Sequence, residues 1–347
     1  MPTPPLDALE SLVHRVSQSS CGLQATEMPG GASTRRYYRV EMPNGSSAIA
    51  MYVPEVGKPD EFVKVDESGR RWPFLEVREL MASRDISVPR VLGEACDQGF
   101  LLLEDLGDDT LANYLLRRPE RKTNVYQIAV RDLARAQRVL QDLPAESIVR
   151  ERAFDEELLA WEVDHFREWA LEARGIQLTA PQRQVFDSAR EWLASTVSAW
   201  PRGFVHRDYQ SRNLMVRQHD NNEEELVWID FQDALLGPRV YDLVALLNDS
   251  YQSFDRAFVE ARLDEYATHL GLSEADSARV VREFDIVTVQ RKLKDAGRFV
   301  FIDREKNNPN FLPFVESTIE KARLSLSRVT DEKALLDLGE LLAELFD

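Results

Sequence analysis

His206-Arg207-Asp208-Tyr209-Gln210-Ser211-Arg212-Asn213-Leu214, followed downstream by Ile229-Asp230-Phe231, is the stretch on which the reading of this chain turns. It places a carboxylate at Asp208, an amide five residues on at Asn213, and a second carboxylate at Asp230 after an apolar run. The flanks suit a loop held between short strands. Gly203-Phe204-Val205 and Leu214-Met215-Val216 are apolar, and Leu226-Val227-Trp228-Ile229 is strand-like and ends at the second acid. Asp220-Asn221-Asn222 reads as the hairpin turn between the last two of these runs. H-R-D alone arises by chance. Three polar positions with fitting flanks fill several roles of an active site at once.

The pattern H-R-D-x-x-x-x-N-L, then D-F, resembles the catalytic-loop and metal-loop pair of the protein kinases. That resemblance implies phosphoryl transfer, with Asp208 as the base beside an acceptor hydroxyl. Asn213 and Asp230 would then be oxygen ligands of the Mg2+ that accompanies ATP. HRDYQSRN with IDFQDALLGPRVYDL resembles the aminoglycoside phosphotransferase/choline kinase family more than the eukaryotic protein kinases. Within that family it is most similar to the bacterial anomeric kinases of N-acetylmuramate and N-acetylglucosamine. Gly30-Gly31-Ala32-Ser33-Thr34-Arg35-Arg36-Tyr37-Tyr38-Arg39 resembles their nucleotide loop. Weaker likeness extends to Phe166-Arg167-Glu168-Trp169 and Gln290-Arg291-Lys292-Leu293-Lys294.

The resemblance implies an α+β, two-lobed, protein-kinase-like fold. A small amino-terminal lobe with a mixed β-sheet (1–104) would bind nucleotide, and a mostly helical lobe (105–347) would hold catalysis and substrate. It further implies adenine contacts at Glu104, Asp105 and Leu106, and structural support from His206 and Asp242. Asp242 would accept hydrogen bonds from the catalytic-loop backbone. Arg167, Glu168, Arg291 and Lys294 fall near the acceptor, with Lys292 a further candidate cation. The expected activity is an ATP-dependent sugar kinase in cell-wall sugar recycling. The alternatives are an aminoglycoside or choline-type kinase, or a nucleotide-binding module without turnover. The choice between ATP and GTP stays open.

Composition narrows the partners. The chain has 347 residues with 43 Lys plus Arg against 60 Asp plus Glu, a net charge of −17. Such acidity disfavours sequence-independent nucleic-acid binding and anionic membrane surfaces, both of which need clustered cations. Cys21 and Cys96 lie too far apart to make a disulfide framework. The start, Met-Pro-Thr-Pro-Pro-Leu-Asp, shows no secretory pattern and no stretch suits a bilayer span, so a cytoplasmic protein is expected.

Along the chain, residues 6–16 carry a helical apolar stripe. The glycine loop then suits phosphate, because glycine lets backbone N–H groups approach and Ser33, Thr34, Arg35 and Arg36 add donors. Pro43-Asn44-Gly45-Ser46 is a hairpin turn. The returning strand holds Met51 where the kinase pattern has a phosphate-pairing lysine. Arg35 and Arg36 are expected to supply the missing charge, and Glu76 or Glu79 on the helix 72–83 is left without the lysine as partner. A hairpin about Asp97-Gln98-Gly99 precedes the hinge. Helical patterns follow over 111–117, 125–140, 154–174, 182–200, 255–270, 274–302 and 311–328. Trp161, His165, Phe166 and Trp169 read as core or as a sugar-stacking wall. The last helix, with Ala334, Leu335, Leu336, Leu338, Leu341, Leu342 and Leu345, docks on its own lobe or forms a dimer interface.

Overall fold

The computed structural model describes residues 4–19, 22–29, 35–54, 72–220 and 223–346. Five strands make the amino-terminal sheet: β1 (Ala25–Glu27), β2 (Arg36–Glu41), β3 (Ser47–Tyr52), β4 (Val91–Ala95) and β5 (Phe100–Glu104). Their order is β1-β2-β3-β5-β4 and every pair is antiparallel. The β2–β3 turn needs Gly45, whose φ of 80° lies in the left-handed region.

Period-two alternation gives the two faces different work. Tyr38, Val40, Ala48, Ala50, Phe100 and Leu102 meet Leu9, Leu12 and Val13 of α1 (Leu6–Ser17) in a small outer core. Met51, Leu101 and Leu103 point the other way. They join Phe74, Leu75, Val77 and Met81 of α2 (Pro73–Ala82) in a large core continuous with the helical lobe. Phe100-Leu101-Leu102-Leu103 is apolar without alternation because this interior strand is covered on both faces.

The second lobe contains α3 (Leu111–Arg117), α4 (Lys122–Val139), α5 (Ile148–Glu151), α6 (Glu156–His165) and α7 (Ala180–Ser198). Four short strands follow: β6 (Arg202–Val205), β7 (Leu214–Gln218), β8 (Glu224–Trp228) and β9 (Leu235–Pro238). The chain then forms α8 (Tyr241–Leu247), α9 (Arg256–Leu270), α10 (Glu274–Lys306), α11 (Val315–Leu326) and α12 (Lys333–Phe346). β6 pairs with β9 and β7 with β8, so residues 206–213 leave one ribbon and enter the other. The Asn221-Asn222 turn lies outside the described residues.

α10 is the axis of this lobe, packed against α6, α8, α9 and α11. Gly297 brings it against the end of α6, since a Cβ there would sit 2.1 Å from the His165 carbonyl oxygen. The continuous helix expected over 154–174 instead passes at Phe166–Leu171 into a π-helical turn and then a 3-10 turn. α12 buries Leu335, Leu338, Leu341 and Leu342 against its own lobe, packing on α7 and α11. Most of the apolar stripe is therefore covered by its own lobe, while Leu336 stays exposed.

Gly297→Ala should destabilise the protein by about 1–3 kcal/mol or more, because the obstructing atom is backbone and cannot rotate away. Thermal unfolding checks this, and an unchanged melting temperature would refute the close approach.

Candidate active site

The loop 206–213 carries a left-handed residue, Arg207, with φ 81°. Its neighbours hold that conformation. Asp242 on α8 accepts from the backbone N–H of His206 (2.7 Å) and of Arg207 (3.0 Å). Arg291 on α10 donates to the Arg207 carbonyl (2.7 Å) and to Asp208 Oδ1 (3.1 Å). The Arg207 guanidinium is buried beside Glu162 (3.4 Å), which also accepts from Gln290 Nε2 at 2.8 Å. Further on, Asp249 accepts from the Ser211 N–H (3.0 Å), from the Ser211 hydroxyl and from the Tyr251 N–H (2.9 Å). Asn213 Nδ2 reaches back to the Asp208 carbonyl at 2.9 Å, which closes the loop. His206 is fully buried among Tyr209 and Trp228, and burial pushes its imidazole down to about 4, so it is neutral near pH 7.

The two carboxylates have different settings. Burial alone would raise the Asp208 carboxyl, but Arg291, Lys294 and Arg207 outweigh it and hold the group below the usual carboxylate range. Asp208 is thus ionised and about two-fifths exposed, with a side-chain exposure of 39%. Asp230 sits at φ 64° just after β8. Burial, with the Asp208 charge adding to it, pushes its carboxyl up to about 6. Gln232 Nε2 donates to Asp230 (2.9 Å) and to Asp233 (2.9 Å), and Arg35 lies 3.6 Å from Asp230 and 3.7 Å from Asp233.

These groups suit a hard divalent cation. The Asn213 amide nitrogen is engaged with Asp208, which turns its oxygen into the remaining donor, and Asp230 is a carboxylate crowded by negative charge. Magnesium takes one or two protein oxygens of this kind and completes its shell with water and phosphate. Asn213 and Asp230 would hold it, and the ion would supply charge neutralisation at the phosphates.

The other expected residues divide. Gly30, Gly31, Ser33 and Thr34 lie outside the described residues. Arg35 and Tyr37 face Asp230, whereas Arg36 points to the opposite face of β2 and grips Glu27 with two 2.8 Å bonds. The structure therefore does not bring Arg36 to the site, because adjacent strand residues face opposite ways. At the hinge, the Glu104 N–H is taken by the Arg90 carbonyl (2.9 Å) and its carboxylate by Arg90 and Arg217. The Asp105 carboxylate is held by Arg39 (2.8 Å) and by the Gly107 N–H (2.9 Å). Both carboxylates at the expected adenine positions are thus engaged within the protein, as is the Glu104 N–H.

Met51 is buried in the core with Phe74, and Glu76 accepts from the Ile148 N–H at 2.6 Å instead of facing a cation. Phe166 is core, while Trp161 and Trp169 are half-buried, with Trp169 edge-on to Phe301 at 5.0 Å. Arg167 is held by Glu172 (2.7 Å), Glu168 (3.3 Å) and Asp164 (3.6 Å). Neither Arg167 nor Glu168 bonds the catalytic loop among the described residues. Arg291 does, and Lys294 bears on Asp208 electrostatically. Sequence reading missed Asp249 and Glu162, which sit in no motif and act through contacts 38 and 45 residues away in sequence.

A small β-sheet lobe over a helical lobe, with an ionised carboxylate facing an amide and a second carboxylate, defines a kinase-like phosphotransferase. Residues 24–280 match the Phosphotransferase enzyme family, APH, and the chain belongs to that family. It is 32% identical over 325 residues to the N-acetylmuramate/N-acetylglucosamine kinase of Pseudomonas putida, covering 92% of this chain and 88% of that protein. The enzyme of that name from Neisseria meningitidis is 31% identical over 319 residues, covering 90% and 88%. Among solved structures, the gentamicin complex of APH(2")-IIa superposes with a TM-score of 0.58 at 13% identity, over 97% of this chain and 99% of that one. Choline kinase LicA from Streptococcus pneumoniae gives 0.58 at 14%, over 92% and 97%. At these identities the structural matches establish the two-lobed fold. The protein is a nucleotide-dependent phosphotransferase. Among the described residues no helix is long and apolar enough to cross a membrane.

Two outcomes are expected. Arg35→Gln should raise the KM for nucleotide several-fold, whereas Arg36→Gln should leave it within about twofold; equal effects would contradict the division of the pair. Asp249→Ala leaves the buried Ser211 donors unpaired at a cost of about 1–3 kcal/mol. It should lower both the unfolding temperature and kcat, and wild-type values in both would remove Asp249 from the support of the loop.

Proposed function

We propose that this protein is an ATP-dependent kinase of N-acetylmuramate and N-acetylglucosamine that phosphorylates the anomeric hydroxyl. The observation that carries the chemistry is the Asp208 carboxylate, kept ionised by Arg291, Lys294 and Arg207, on a loop whose Asn213 amide is tied to the Asp208 backbone carbonyl. The choice of sugar is supported by the names of relatives that span about nine-tenths of this chain.

In the reaction, the acceptor oxygen forms a bond to the γ-phosphorus as the bond from that phosphorus to the bridging oxygen breaks, and ADP leaves. The hydroxyl proton passes to Asp208. An anomeric hydroxyl is more acidic than other sugar hydroxyls, so a carboxylate of low basicity suffices. The buried Arg291 orients Asp208, and catalysis rests on positioning and electrostatics. With no strand cation at Met51, Arg35 beside Asp230 would meet phosphate oxygens. Asn213 and Asp230 would bind magnesium.

The test offers both amino sugars, their 1-deoxy analogues, kanamycin and choline with magnesium and ATP, and detects products by mass. Both amino sugars should be phosphorylated and the 1-deoxy analogues should not. Turnover of a 1-deoxy sugar would exclude the anomeric position as sole target, and turnover of kanamycin or choline alone would overturn the substrate class. Asp208→Asn should reduce kcat by about 10²–10⁴-fold with ATP binding retained; a variant keeping most of its turnover would refute the base.

A further inference from the structure

N-acetylmuramate carries a carboxylate that N-acetylglucosamine lacks, so an enzyme using both must meet an anion that is present in only one. The cations expected near the acceptor are already engaged. Arg291 bridges the Arg207 carbonyl and Asp208, and Lys292 donates to Ser250 (3.1 Å) and Asp295 (2.8 Å). Lys294 lies 3.5 Å from the same Asp295 and is largely buried. Arg167 is enclosed by three carboxylates.

Arg212 differs from all of them. It lies inside the catalytic loop, one residue before Asn213, and is exposed. Its guanidinium carbon sits 3.5 Å from the centroid of the Tyr251 ring and 5.9 Å from that of Phe314. Among the described residues it has no carboxylate within ion-pair distance, in a chain where acids outnumber Lys plus Arg by 60 to 43. The aromatic platform is itself fixed. Tyr251 packs edge-on to Phe314 (4.9 Å), and its N–H is held by Asp249, the residue that also clamps Ser211. A guanidinium stacked on a ring is limited in orientation while its N–H edge stays free for bidentate pairing with a carboxylate.

The platform is linked to the Asp208 side of the loop, since Ser250, the residue before Tyr251, accepts from Lys292 (3.1 Å), the neighbour of Arg291. Arg212 directly precedes Asn213, whose side-chain amide closes back on the Asp208 backbone carbonyl at 2.9 Å. The Tyr251 hydroxyl, raised by burial against the pull of Arg212, also feels Asp295, Asp249 and Asp208, which puts the platform in the electrostatic field of the reacting carboxylate.

Resting on the amino-sugar reading above, we infer that Arg212, stacked on Tyr251, is the specificity residue that receives the carboxylate of N-acetylmuramate. Tyr251 serves it as a positioning residue. N-acetylglucosamine makes no such contact and is bound through the rest of the pocket.

The experiment compares kcat/KM for the two sugars in the full-length enzyme. Arg212→Gln should lower the ratio of N-acetylmuramate to N-acetylglucosamine efficiency by about 10- to 100-fold, the range of a charged hydrogen bond, chiefly through the N-acetylmuramate KM. Arg212→Lys, which keeps the charge and loses the fork, should recover part of that ratio. Tyr251→Leu should move it in the same direction as Arg212→Gln. Lys294→Met should affect both sugars alike. If Arg212→Gln affects both sugars equally, or if Lys294→Met shifts the ratio and Arg212→Gln does not, the inference is overturned while the function stands. A wild-type enzyme that phosphorylates N-acetylglucosamine but not N-acetylmuramate also overturns it. Failure on both sugars overturns the functional reading and this inference together.

Discussion

The left-handed turn at Arg207 is the constraint on which the site depends. A non-glycine residue at φ 81° is unfavourable on its own and persists only where the surroundings over-determine it. Here Asp242 takes the N–H on one side, Arg291 takes the carbonyl on the other, and Glu162 holds the buried side chain. The three partners come from α8, α10 and α6. The turn directs Asp208 out of the core with its carboxylate against Arg291. A buried guanidinium and carboxylate pair is costly to break from one side only, so the helices and the loop are mutually dependent.

The link between the lobes is built differently from the lysine–glutamate pair of the protein-kinase pattern. Met51 is apolar, and Glu76 of α2 serves the N–H of Ile148 on the first turn of α5. The contact from α2 to the Asp230 side of the site is aromatic, with Phe74 4.9 Å from Phe231, the residue after Asp230. Packing thus positions the Asp230 turn, and charge is left to Arg35.

This acidic protein also gathers three cations on one turn of α10 beside the loop 206–213. Arg291, Lys292 and Lys294 on one helical turn of α10 share Asp295, whose carboxyl burial would raise but which these three hold far below its usual range. Asp295 separates like charges that would otherwise repel. The surplus positive potential falls on Asp208, which keeps it ionised in a partly buried site.

Much of this was legible in the residues themselves. The hairpins at Asn44-Gly45 and Asp97-Gln98-Gly99, the helical stripes, and the Asp208–Asn213 loop followed by Asp230 depend on spacings within a few turns of chain, where periodicity and turn chemistry act. The partners of that loop do not. Asp242 and Arg291 were expected near the loop only through the family resemblance, whereas Asp249 and Glu162 reach it across 38 and 45 residues, and a single carboxylate at such separation leaves no periodic trace. Arg35 and Arg36 are equivalent as letters, and only the placement of β2 turns one toward Asp230 and the other toward Glu27. The free guanidinium of Arg212 was likewise invisible, because ion pairing is decided by which charges the packed helices bring together. Local sequence determined the candidate chemistry of this protein, since Asp208 and Asn213 sit on one short loop and Asp230 follows the next hairpin. Tertiary packing alone decided which charges are neutralised and which remain open to a ligand, because that balance is set by long-range neighbours.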